Sequence, residues 1–233
     1  MACVSCKSEK TEGENPFFSA WETPYGVPPF DKIRAEHFLP ALERGMSLHD
    51  AEIDAIASNN DDPTFGNVIE AYDAAGGMLA RTELVFGMLC AAENTPELQA
   101  LQKRAMPLLA AHYDRILLDE RLFARVKELY DRRGALDLDD VQLRLLEKTY
   151  RRFVRAGALL DAGRKARLKE INGELALAAV KFGNNLLAEN NRFEMEITAD
   201  EMAGLPSDVQ ELAREKARER GKQKDPGLFT LHQ

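Results

Sequence analysis

The sequence predicts a mostly α fold: an antiparallel, bundle-like array of about six helices, followed by a short β element and one further helix. Three observations predict it. From about Ile33 to Glu189 apolar residues recur at steps of three and four, the period that places them on one helix face. Capping and turn residues stand where these stripes begin and end. Beyond Asn190 the period changes to two, the mark of a strand.

Each element follows in order. Residues 1–14 are small, polar and charged without period, and read as a flexible tail. Within it Val4-Ser5-Cys6 reads as the end of a lipoprotein signal followed by a polar tether, although no basic or apolar run precedes it. Cys3-x-x-Cys6 lacks the strand-to-helix setting of a redox pair and a second ligand pair for zinc. Residues 15–32 combine prolines with Phe17, Phe18, Trp21, Tyr25 and Phe30, so this arm is expected to lie extended across a folded body.

Residues 33–190 form the helical domain. A first stripe takes in Phe65, Val68, Ile69, Tyr72, Met78, Leu79, Val85, Met88 and Leu89, and a second Leu98, Leu101, Leu108, Leu109, His112 and Ile116. Val141, Leu145, Thr149 and Phe153 make a third, and Leu168, Ile171, Leu175, Ala178, Phe182 and Leu186 a fourth. Asp62, Thr95, Asp139 and Asp161 are the expected N-terminal caps, while Asn59-Asn60, Asn94, Gly134 and Gly163 are the expected stops. Gly76-Gly77, inside the first stripe, predicts a kink or a close helix contact.

Residues 191–233 read as the start of an α+β segment that ends unfinished. Phe193, Met195 and Ile197 alternate with charged residues, Thr198-x-x-Glu201 fits a capping box, a charged helix runs from about Pro206 to Arg220, and Leu228 to Leu231 suit a second strand. An isolated strand pair needs cover, so apolar surface at Phe193 to Ile197 and Leu228 to Leu231 is expected to be left bare.

Composition excludes several functions. Of 233 residues 45% are hydrophobic and 30% charged, which fits a folded chain. Thirty-one basic against 39 acidic residues give a net charge of −8, which argues against a nucleic acid partner. No stretch approaches the ~18 consecutive apolar residues of a membrane span, so no transmembrane segment is expected. Three cysteines cannot build a disulfide framework.

Candidate chemistry is sparse. None of His37, His49, His112 and His232 lies three or four residues from another, so no helix presents a two-histidine metal site and the His-Glu-x-x-His signature is absent. His112 reads as a satisfied core histidine and Cys90 as a small buried hydrophobe. Phe123 and Tyr130 near Arg125, Arg132 and Arg133 carry the spacing of base-stacking groups but also of an ordinary amphipathic helix, and the mixed charges from Arg214 to Lys224 read as a solvated face. No catalytic, cofactor-binding or metal residue is assigned.

The arm Asn15-Pro16-Phe17-Phe18 with Thr23-Pro24-Tyr25-Gly26-Val27-Pro28-Pro29-Phe30-Asp31-Lys32-Ile33 resembles the opening of the bacterial peptidyl-dipeptidases, or dipeptidyl carboxypeptidases, in the thimet oligopeptidase family of zinc metallopeptidases. Further matches keep their order: Glu52-Ile53-Asp54-Ala55-Ile56, Pro63-Thr64-Phe65-x-Asn67, Ile171-Asn172-x-Glu174-Leu175, Phe182-Gly183-x-Asn185, Ala203-Gly204-Leu205-Pro206 and Phe229-Thr230-Leu231. The resemblance covers nearly all of the chain after the tail but only the N-terminal portion of the family. It implies a helical fold roughly three times this length, split by a substrate channel, with these residues forming one wall. It also implies that zinc, the catalytic residues and the C-terminal catalytic half belong to a parent protein acting on oligopeptides, so this chain alone is expected to be inactive. A free-standing helical binding or scaffold module without catalysis is the alternative. The lipoprotein-like tail favours the cell envelope, on the periplasmic side and lipid-anchored, over the cytoplasm.

Overall fold

The computed structural model describes residues 15–93, 95–221 and 227–230, which fall into two compact units, Met1–Leu177 and Ala178–Gln233. The tail, with Cys3, Cys6 and the lipoprotein-like Val4-Ser5-Cys6, lies outside the described residues, as do Asn94, Leu231 and His232.

The described helices follow the predicted array. They are α1 (Ala35–Ala57), α2 (Ala71–Ala74), α3 (Gly77–Ala92), α4 (Pro96–Leu117), α5 (Glu120–Asp131), α6 (Asp140–Arg155), α7 (Ala162–Arg192) and α8 (Ser207–Glu219). Six of them before residue 193 have 12 residues or more; α2 is a four-residue continuation of a π-helical turn, Phe65–Glu70.

Local chemistry explains most boundaries. The Thr95 side chain accepts from the Leu98 amide, and Asp139 accepts from the Val141 and Gln142 amides while Gln142 returns a bond to the Asp139 amide. Asp161 accepts from the Arg164 amide at the start of α7. Two expectations are corrected. Thr64, not Asp62, caps the π-helical turn, because its hydroxyl accepts from the Asn67 amide while Asn67 accepts from the Thr64 amide. Gly163 lies inside the first turn of α7 and stops nothing. Asp119, which accepts from the Arg121 and Leu122 amides, separates α4 from α5.

Two apolar clusters hold the first unit together. One joins Phe17, Phe38, Leu42, Leu79, Val85, Phe86, Leu98 and Leu109, packing the arm, α1, α3 and α4. The other joins Ile53, Ile56, Val68, Ile69, Ile116, Leu122, Val126, Leu129, Leu146 and Phe153, packing the distal parts of α1 and α4 with α5 and α6. Complete burial of a side chain of this size contributes about 2 kcal/mol. Gly45 lets α1 and α3 approach, since a Cβ there would stand 2.9 Å from Leu79 Cα. Phe17 anchors the arm with its ring centroid 5.3 Å from that of Phe38 and 5.9 Å from that of Trp21, and the Arg81 guanidinium lies 4.6 Å over the Trp21 ring while donating to the Phe17 carbonyl.

Phe65–Ala92 is long and apolar enough to cross a membrane by length and composition. Gly76, in the left-handed conformation at φ +79°, divides it, and Leu79, Thr82, Val85 and Phe86 are buried in the helical body.

In the second unit β1 (Glu194–Ile197) pairs antiparallel with β2 (Gly227–Thr230), Met195 opposite Phe229. The capping-box residues Thr198 and Glu201 do exchange hydrogen bonds, but they close a turn ahead of α8. Cover on the strands departs from expectation at Leu228 but not at Phe193 and Met195. Leu228 is only 1% exposed, with Met202, Ala213 and Ala217 also buried, whereas Phe193 and Met195 are exposed.

Candidate functional site

Along α1 and α4 the two apolar clusters are separated by one polar step. His49 follows Leu42 and Gly45 on α1 and precedes Ile53; His112 follows Leu109 on α4 and precedes Ile116. Both imidazoles are buried, with His112 Nε2 3.0 Å from His49 Nδ1 and the ring centroids 5.0 Å apart. On its other side His112 Nδ1 lies 3.2 Å from Asp50 Oδ1 and 3.0 Å from Arg115 Nη2, and Arg115 is itself paired with Asp50.

Two further contacts fix this knot. A Cβ at Gly76 would stand 2.9 Å from His49 Nδ1, so only glycine allows the turn before α3 to lie on the imidazole. The Gly76 amide donates to Glu52 Oε2 at 2.7 Å. Tyr113 lies edge-on to both imidazoles and donates to Glu83 Oε2 at 2.5 Å.

Burial dominates the electrostatics. It lowers both histidines below their ordinary value, against the opposing pull of Asp50 on each and of Glu52 on His49. It also raises the Glu83 carboxyl, an effect opposed by the Tyr113 hydroxyl bond, and raises the Tyr113 phenol. The Cys90 thiol is pushed up to about 11 by burial, so at neutral pH it is a protonated core group and a poor nucleophile.

The remaining sequence candidates have structural partners. His37 Nδ1 accepts from the Arg34 amide at the start of α1. Phe123 stacks on Phe153, and Tyr130 stacks on Tyr150 with centroids 3.8 Å apart. Arg125 donates to the carbonyls of Asn59 and Asp61, and Arg132 to that of Pro63, so these guanidiniums tie down the loop between α1 and the π-helical turn. Among the described residues no group of three or more His, Cys, Asp or Glu is placed to hold a metal ion. The pairing of His49 with His112 was missed because 63 residues separate them and no local motif links them.

The fourth apolar stripe is the other distinctive feature. On α7, Ile171 is 43%, Leu175 62%, Phe182 70% and Leu186 51% exposed.

No family model matches the chain. It is 39% identical over 208 residues to dipeptidyl carboxypeptidase of Escherichia coli strain K12, covering 89% of this chain and 30% of that protein. It is 38% identical to dipeptidyl carboxypeptidase of Salmonella typhimurium strain LT2, covering 31% of that protein, and 25% identical over 210 residues to oligopeptidase A of the same organism. The chain therefore spans about 30% of the length of the curated relatives it matches. In sequence it is a homologue of one portion of the dipeptidyl carboxypeptidases, with the oligopeptidases A as more distant relatives.

Proposed function

We propose that this chain is the N-terminal helical part of a zinc metallopeptidase that releases dipeptides from the C-termini of oligopeptides, and that it forms one wall of the substrate channel. The observation that carries this reading is the match along 89% of the chain to proteins about three times its length. The bare stripe on α7 supports it, because contiguous exposed apolar side chains mark a surface that packs against other protein. In this reading zinc, the catalytic residues and the water-activating carboxylate reside in the remaining polypeptide, which is also the principal partner. The parent works in the cell envelope, on the periplasmic side, tethered through the lipidated Cys6; failure of the native gene product to incorporate palmitate would remove the tether.

The test compares two products. The reading frame extended beyond Gln233 is expected to bind zinc and to release C-terminal dipeptides from an N-blocked tetrapeptide. The 233-residue chain is expected to do neither. Stoichiometric zinc on the short chain, or an extended product without peptidase activity, would overturn the proposal.

A second reading, a free-standing helical binding module, is favoured by the pairing of β2 and the burial of Leu228. A stop codon directly after Gln233 in the natural gene would support it.

A further inference from the structure

The His49–His112 pair sits where the two apolar clusters of the first unit meet along α1 and α4, and the Gly76 turn rests directly on it. Two imidazoles 3.0 Å apart share one hydrogen bond, in which one nitrogen must offer a proton and the other a lone pair. Asp50 and Arg115 together meet the remaining nitrogen of His112, so the neutral pair is accommodated in either tautomer. A first proton leaves the bond intact: His112 then donates from Nδ1 to Asp50 and from Nε2 to His49 Nδ1. A second proton cannot be accommodated, because both facing nitrogens would carry hydrogen and both rings a positive charge.

We propose that the His49–His112 pair is a proton-operated latch, closed while it holds at most one extra proton and opened by the second, which frees the Gly76 turn and loosens α1 from α4. The groups facing the pair come from every neighbouring element: Asp50 and Glu52 on α1, Glu83 on α3 through Tyr113, Tyr113 and Arg115 on α4, and Arg152 on α6. Asp50 favours a proton on either ring and Glu52 on His49, while Arg115 opposes it on either ring and Arg152 on His49; each imidazolium also opposes a proton on the other ring. The sign follows from linkage. Free histidine takes up its proton near pH 6.5, whereas burial keeps these two neutral to lower pH, so the open state binds more protons and the latch weakens as pH falls below that value.

The test is amide hydrogen exchange of the 233-residue chain between pH 7.5 and 5.5, read at Gly76 and Ala80, whose amides are bonded to Glu52 and to the Gly76 carbonyl. Uptake of one proton on opening raises the opening constant roughly tenfold per pH unit and uptake of two roughly a hundredfold. Below pH 6.5 the wild type is expected to open more as pH falls, taking up as many as two protons per opening from the neutral pair and one from the singly protonated pair. The H49N/H112Q double variant, whose amides replace the facing nitrogens without titrating, is expected to be flat. No rise in the opening constant of the wild type below pH 6.5, or an equal slope in the double variant, would overturn the latch. If the double variant does not fold, imidazole nitrogen NMR of the wild type decides. Two neutral rings coupled through one shared proton at pH 7 are expected; two independent titrations near pH 6.5 would overturn it.

Discussion

The third and fourth apolar stripes have the same helical period in sequence and opposite fates in the structure. On α6, Phe153 is completely buried among Tyr72, Phe123 and their neighbours; on α7, Leu175 and Phe182 face outward with most of their surface exposed. Periodicity determines which residues share a face, because it follows from the helix repeat alone. Whether the face is covered depends on a second surface, and the sequence of the helix does not contain that information.

Four substitutions sharpen the contrast. The largest effect is expected for Phe153→Ala, which removes a fully buried ring from the second cluster and should cost about 3–5 kcal/mol in urea unfolding. A loss below about 1 kcal/mol would mean that α6 is not packed as described. Next comes a pair of glycines. Gly76→Ala places a methyl group on the His49 ring at a left-handed backbone position and should cost about 2 kcal/mol, whereas Gly183→Ala, inside α7 with open space around it, should stabilise by about 0.5–1 kcal/mol. Equal effects at the two sites would break the distinction between covered and bare regions. The smallest effect belongs to Phe182→Ser, which should change the stability of the 233-residue chain by less than about 0.5 kcal/mol, measured in the same way.

Elements governed by local rules were legible in the sequence. Thr95, Asp139 and Asp161 cap where expected because an N-terminal cap needs only its own first turn. Gly76 announced a break because few other residues adopt its backbone conformation. Elements governed by long-range contact were not. Val141 and Leu108 keep the helical phase of their stripes yet are exposed, and His49 meets His112 through the packing of α1 on α4. The strand pair shows the same limit: Phe193 and Met195 are bare as expected, but Leu228 on β2 is buried together with Met202, Ala213 and Ala217, which the strand's own residues do not announce. Among the described residues the buried polar groups His49, His112, Tyr113 and Glu83 pair across elements far apart in sequence, which no local pattern announces.

The central claim is that the α7 stripe is covered by the rest of a longer peptidase. Hydroxyl-radical footprinting of Leu175, Phe182 and Leu186 tests it directly, comparing the 233-residue chain with the product of the complete natural gene. The account predicts rapid oxidation of all three side chains in the short chain and strong protection in the complete protein. Equal oxidation in both, or a natural gene that ends at Gln233, would contradict it.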